Sequence, residues 1–162
     1  MPLPEITIER VDGGSVVPGT SGGWELLVVY RGRFCGRCKP YLAKLDALLD
    51  RLRAIDVAVL VVSADGAEDA AADRDEGGWR FALGHSLDVA AMRQLGLYVS
   101  EPVAEHEGAR PFAEPGVLFL TPDGRVQILA TSNAASCRPD LDVLVDGIEK
   151  TLERDMPIRG TL

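Results

Sequence analysis

The sequence predicts a single α/β domain over residues 1–162, built on a central mixed sheet of parallel strands plus a C-terminal antiparallel hairpin, with helices on both faces. Three observations predict it. Short Val- and Leu-rich runs alternate with amphipathic segments of helix length, the pattern of a parallel sheet with crossover helices. Near the C-terminus two apolar runs flank a Pro-Asp-Gly turn, the pattern of a hairpin. And 162 residues, 46% of them apolar, suffice to bury one continuous core.

Taken in order, "WELLVVY" (24–30) is a buried strand that leads directly into "RGRFCGRCKPYL" (31–42). Leu42, Leu45, Leu48, Leu49, Leu52 and Ile55 then recur at intervals of three and four among charged residues, which predicts an amphipathic helix over 38–54. Pro40 is tolerated only in its opening turns. "VAVLVVS" (57–63) is a second buried strand, and "ADGAEDAAADRDE" (64–76) a polar helix with its turn. "SLDVAAMRQLG" (86–96) reads as a helix with Ser86 as N-cap and Gly96 at its end. Residues 100–116 carry three prolines and no apolar period, so a loop inserted within the domain is expected there. The hairpin follows over 116–132, and "RPDLDVLVDGIEKTLERD" supplies the closing helix.

Charge and composition exclude several functions. A formal charge of −8 argues against a nucleic-acid partner, because phosphate binding draws on an excess of Lys and Arg. No apolar run approaches the roughly twenty residues that span a bilayer, and "MPLPEITIER" has neither a basic start nor a long apolar stretch, so no membrane role and a cytoplasmic location are expected. Three cysteines are too few for a disulfide-stapled scaffold.

Two of those cysteines, Cys35 and Cys38, are separated by two residues where the first strand gives way to the first helix. Unpaired N–H groups and the positive helix end stabilise an anion at such a place, and for a cysteine that anion is the thiolate. Arg31, Arg33, Arg37 and Lys39 surround the pair without an intervening acid, and each cation depresses a thiol pKa further. Three readings follow: a redox dithiol that closes a disulfide, half of a zinc site, or two packed apolar residues. Zinc would need ligands from His85, His106, Cys137 or carboxylates, none of which forms a second pair at ligand spacing.

The remaining candidates have plain structural readings. Cys137 is a packed small residue or a second resolving thiol, with packing favoured. Ser63 and Asp65 end a strand where parallel-sheet sites gather, though capping the next helix explains them. His85 and His106 stand in no motif, and Trp24 and Trp79 are core aromatics.

"VVYRGRFCGRCKPYL", "VVSADG", "LDVAAMRQLGLY", "EPGVLFLTPDG" and "RPDLDVLVDGI" follow in an order that resembles the thioredoxin fold, and within it the peroxiredoxin-like proteins of the alkyl hydroperoxide reductase/thiol-specific antioxidant family. The resemblance implies a thiol-dependent antioxidant oxidoreductase without a bound cofactor. Its substrate would be a hydroperoxide or a disulfide, its reductant an external thiol system of the thioredoxin type, and a homodimer is compatible with it. "FCGRCK" is similar to the thioredoxin motif, in which Phe34 precedes an attacking Cys35 and Cys38 resolves. Laid without gaps on the peroxiredoxin pattern, Cys38 instead becomes the peroxidatic residue, with Cys35 in place of a Thr and Arg31 in place of a Pro. Peroxiredoxins carry an activating Arg just before the later hairpin and thioredoxins a cis-proline; this chain has Pro115 there, either a cis-proline facing the pair or an ordinary proline at the start of a strand. On the peroxidase reading the missing guanidinium is supplied by Arg31, Arg33, Arg37 or Arg110, and on either reading Arg37 or Lys39 tunes the charge and Pro115 shapes the site. The alternatives are a protein-disulfide reductase without peroxidase activity, and a non-catalytic binding module whose cysteines hold zinc or pack.

Overall fold

The parallel heart of the sheet is built from the two Val-rich runs. In the computed structural model, which describes residues 1–162, β3 (Trp24–Val29) and β4 (Val57–Val62) pair in parallel over six residues, from Trp24 opposite Val57 to Val29 opposite Val62. The elements before them are β1 (Ile8–Arg10) and β2 (Ser15–Val16); those after are β5 (Ala82–His85), β6 (Val99–Ser100), β7 (Phe112–Ala113), β8 (Gly116–Leu120) and β9 (Val126–Thr131). The main sheet has seven strands in the order β2-β1-β5-β4-β3-β8-β9. The expected hairpin is β8–β9, and β8 runs antiparallel to β3.

Antiparallel pairing also occurs at the opposite edge. β1 pairs antiparallel with both β2 and β5, so only β3, β4 and β5 form the parallel part. β5 contains Gly84 because a Cβ there would lie 2.4 Å from Ile8 Cγ2 of the neighbouring strand.

Strand residues alternate between two cores, as the pleat requires. Leu26, Val28 and Tyr30 share one apolar cluster with Val117 and Phe119, whereas Leu27 and Val29 share the other with Leu118 and Leu120. Helices cover both faces. The predicted helix over 38–54 forms as α1 (Cys38–Ala47) and α2 (Leu49–Arg53), separated at Leu48, whose N–H is shared between the carbonyls of Lys44 and Leu45. Its stripe of Leu42, Leu45, Leu49 and Leu52 is buried as the spacing requires, and Pro40 sits in the first turn. α3 (Ala67–Gly77) and α5 (Leu141–Glu153) add Ala70, Leu144 and Ile148 to the same cluster, while α4 (Val89–Gln94) places Met92 in the other.

Two local expectations are corrected. The N-cap of α4 is Asp88, which accepts from the Ala91 N–H at 2.7 Å, while Ser86 lies outside the helix with φ 56°. Residues 100–116 are more than a loop: β6 and β7 pair antiparallel and a 3₁₀ turn occupies Glu105–Glu107 between them. Two-residue strands are too short for a period to be read. No helix is long and apolar enough to cross a membrane.

Candidate active site

Strand β3 delivers the segment 31–37 from its C-terminal end, and the segment is held from beneath by Asp65. The Asp65 carboxylate accepts the Arg33 N–H at 2.8 Å and the Ser63 hydroxyl at 2.9 Å. Gly32 makes room for it, with φ 139° and a Cβ position only 3.0 Å from Asp65 Oδ1. This corrects the capping role expected of Ser63 and Asp65: the N-cap of α3 is Gly66, without a side-chain bond, and Asp65 serves the cysteine segment instead. Burial pushes the Asp65 carboxyl up, against the pull of those two hydrogen bonds.

Cys38 opens α1 and Cys35 closes a turn before it, with the Cys35 N–H on the Gly32 carbonyl at 3.0 Å and the Cys38 N–H on the Cys35 carbonyl at 3.2 Å. Both are free thiols, and both are buried, Cys38 at 0% exposure and Cys35 at 3%. Their environments drive them apart. A hydrogen bond from the Cys38 thiol, a second from Arg31 and the charge of Arg138 hold Cys35 well below the ordinary thiol range, with burial opposing. Donating that bond and lying deeper, Cys38 is pushed above it. The two thiols are therefore unequal, with Cys35 the more easily ionised of the pair.

Two guanidinium groups face the pair from different elements. Arg31 Nη1 lies 3.8 Å from Cys35 Sγ. Arg138 Nη2 lies 3.1 Å from Cys38 Sγ and 3.8 Å from Cys35 Sγ. Arg138 comes from the segment between β9 and α5, where its Nε donates to the Ala135 carbonyl at 2.9 Å and its guanidinium covers the Tyr41 ring at 5.1 Å. Tyr41 in turn donates to the Pro139 carbonyl at 3.1 Å, which ties α1 to that segment.

The other predicted cations lie elsewhere. Arg33 pairs with Asp69 and Glu76 on α3, and Arg110 donates to the Ala64 carbonyl at 3.0 Å. Lys39 points away from the sulfurs to the buried Asp73, which also accepts from the Tyr30 hydroxyl at 3.2 Å. Arg37 is exposed. Of the guanidiniums named from sequence, only Arg31 reaches a thiol; Arg138 was missed, and the adjacent Cys137 in "SCRPD" was the one signal pointing to that segment. Phe34 sits against Phe112 at 4.9 Å and under Arg31 at 5.2 Å from its ring centre.

Pro115 lies beside the site, but its peptide bond is trans, as every peptide bond in the chain is, which corrects the cis-proline expectation. It lines a mostly apolar cavity of about 250 Å³ with Tyr41, Val117, Ala130, Cys137 and Arg138. Cys137 is exposed rather than packed, contrary to expectation. The two histidines are not at the sulfurs: His85 meets the Ser86 hydroxyl at 2.9 Å, and His106 stands edge-on to Phe34. No group of three or more His, Cys, Asp or Glu side chains gathers where it could hold a metal, so the zinc reading finds no third ligand. Trp24 stacks on Phe119 at 5.0 Å and Trp79 packs against Phe81 and Tyr30, as core residues.

Comparison with known proteins bears on the family and the fold. The profile of the AhpC/TSA family matches residues 1–128. No curated protein sequence matches significantly. Among solved structures, the chain is similar to peroxidoxin BcpB from Mycobacterium tuberculosis, with a TM-score of 0.76 at 13% identity over 97% of each chain. A peroxiredoxin-like protein from Aquifex aeolicus gives 0.77 at 14% identity, over 92% of this chain and 84% of that one. A putative protein disulfide isomerase from Bacteroides thetaiotaomicron gives 0.66 at 18% identity, over 94% and 88%. At these identities the structural likeness is one of fold.

Proposed function

The chain belongs to the AhpC/TSA family, a family of thiol-dependent antioxidant oxidoreductases, and we propose that it reduces hydroperoxides with Cys35 as the attacking thiolate and Cys38 as the resolving thiol. The observation that carries this reading is the convergence of the Arg31 and Arg138 guanidiniums on Cys35 Sγ, each at 3.8 Å. A thiolate so held is present at neutral pH. It attacks the distal peroxide oxygen; the O–O bond breaks, the sulfur becomes a sulfenic acid, and the alkoxide or hydroxide leaves with a proton as alcohol or water. Cys38 then attacks the Cys35 sulfur, expelling water and closing a Cys35–Cys38 disulfide. An external dithiol returns the pair to the reduced state by exchange.

Two features favour a peroxide over a protein disulfide. Arg138 bridges both sulfurs and is placed to stabilise the charge developing on the leaving oxygen. The neighbouring cavity shares Arg138 and Tyr41 with the thiols and offers room for an organic substituent.

The test compares reduced Cys38→Ser and Cys35→Ser with hydrogen peroxide, trapping sulfenic acid and locating it by mass. Rapid oxidation of Cys35 in Cys38→Ser, with Cys35→Ser no faster than an ordinary exposed thiol, is expected. Rapid oxidation of Cys38 in Cys35→Ser would reverse the roles. Peroxide inertness of both, together with disulfide reduction by wild type, would move the protein to the disulfide reductases.

A further inference from the structure

Arg31 is the hub of a half-buried cluster most of whose other members come from the inserted segment. Its three nitrogens face three acceptors: Nη1 faces Cys35 Sγ at 3.8 Å, Nη2 faces Glu107 Oε1 at 3.5 Å, and Nε faces Glu114 Oε2 at 2.9 Å. The guanidinium lies between two rings, 5.2 Å from the centre of Phe34 and 5.0 Å from that of Phe112. Glu114 is only 5% exposed, and its second oxygen accepts from the Ser100 hydroxyl at 2.8 Å across the β6–β7 ladder. Glu107 is itself fixed, accepting the N–H groups of Val103 and Ala104 at 2.7 and 2.9 Å.

A guanidinium on a flexible stem gains by reaching water unless acceptors and stacked rings hold it. Here segment 99–114 supplies both carboxylates and one of the rings. The Arg31–Glu114 contact is an ion pair rather than an aligned hydrogen bond, for neither Arg31 Nε nor Glu114 Oε2 makes one. A buried carboxylate is tolerated only while a cation faces it, so Glu114 and Arg31 hold each other in place. We propose that Glu114 is a positioning residue for the redox site: through Arg31 it keeps a hydrogen-bond donor on the Cys35 sulfur, which makes the inserted 99–114 segment part of the active site although it makes no hydrogen bond to either cysteine.

This inference rests on the reading of Cys35 as the attacking thiolate, and the two can fail separately. The charged and titratable groups facing Cys35 are Arg31, Arg138 and Cys38, with Glu107 and Glu114 behind Arg31 and His106 behind Phe34. Charge and position predict opposite signs on removing Glu114. If it acted only as a negative charge, its loss would ease ionisation of Cys35 and lower the thiol pKa. If it positions Arg31, its loss frees the guanidinium and raises that pKa.

The measurement is the pH dependence of Cys35 alkylation in the reduced 162-residue chain, read at that residue by peptide mass, for wild type, Glu114→Ala, Glu114→Gln and Ser100→Ala. Glu114→Ala is expected to raise the Cys35 pKa by about one unit, a tenfold loss of thiolate in the titrating range. Glu114→Gln, which removes the charge of the ion pair but keeps the bulk of the side chain, shifts the value in the same direction by less. Ser100→Ala, which only loosens Glu114, shifts the value upward by less and reports the same coupling if Glu114→Ala does not fold. A depressed wild-type pKa that stays unchanged or falls in Glu114→Ala overturns the positioning role alone; an ordinary wild-type pKa overturns the thiolate reading and this inference with it.

Discussion

Arg138 and Cys38 are separated by 100 residues in sequence, yet the Arg138 guanidinium lies 3.1 Å from the Cys38 sulfur. The contact joins the start of α1 to the segment that follows the hairpin, and it places a second cation on both thiols from an element other than the one that carries Arg31. Because the first cysteine is reached by both guanidiniums and the second by one, the two thiols are inequivalent before any substrate arrives.

Arg138→Met is therefore expected to slow oxidation of the dithiol by hydroperoxide. A hydrogen bond to a charged group contributes about 1.5–3 kcal/mol, so a loss of roughly tenfold to a hundredfold is expected. Arg138→Lys keeps the charge but not the fork that spans two sulfurs, and should recover only part of the rate. Stopped-flow oxidation of the reduced variants checks this; a wild-type rate in Arg138→Met would remove Arg138 from the chemistry.

The Cys38 thiol is the largest contributor to the depressed Cys35 pKa, so Cys38→Ala should raise it more than loss of either arginine. Folding stability carries the same signature. A thiol whose folded pKa lies below its unfolded value of about 8.5 stabilises the fold above that value, and the contribution is lost as pH falls through the folded pKa. The stability advantage of reduced wild type over Cys35→Ala should thus shrink on acidification through that range. Cys38 acts oppositely, since above about pH 8.5 its unfolded form ionises while its raised folded form stays neutral. Urea unfolding of the reduced proteins across pH reads both effects.

The motif, the two parallel strands and the amphipathic helix were legible because each obeys a local rule: a strand-to-helix transition, a Val-rich run, leucines at intervals of three and four. The cations around the thiols were not. Arg33, Arg37 and Lys39 are neighbours of the pair in sequence, but the turn geometry sends Arg33 to α3 and Lys39 to Asp73 and leaves Arg37 exposed. Arg138 is distant in sequence and depends on how the segment after β9 folds back over Tyr41. Asp65 reads locally as a cap, and only the close approach of Gly32 shows what it holds. Side-chain direction at a loop carries no periodic signal, and that is where this site resides.

Lys39 is expected to matter for stability more than for thiol chemistry. Its ammonium faces the Asp73 carboxylate, 1% exposed, which shares its charge with the Tyr30 hydroxyl. Lys39→Met would leave that carboxylate with Tyr30 alone. Because the Lys39 side chain is itself 37% exposed, solvent screens part of the interaction, and a loss of about 1–3 kcal/mol is expected. The Cys35 pKa should hold. Urea unfolding with alkylation kinetics separates the two readouts, and a large pKa shift without destabilisation would return Lys39 to the active site.

The cavity beside Arg138 makes a substrate prediction that separates two kinds of peroxide. Its walls include Val117, Ala130 and Thr131, and its volume of about 250 Å³ can hold a small organic group but is not needed by hydrogen peroxide. Ala130 is half-buried on β9, so Ala130→Trp can fill the space without inserting a ring into a closed core. If an organic substituent occupies the cavity while the peroxide oxygens meet the thiolate, the variant should raise KM for cumene hydroperoxide by about tenfold, the range expected when a well-filled apolar site is lost. Its rate with hydrogen peroxide should stay close to wild type. Steady-state kinetics with the two peroxides and one external dithiol tests this directly: equal losses with both would mean that the tryptophan disturbs Arg138, and no loss with either would mean that the organic group lies outside the cavity.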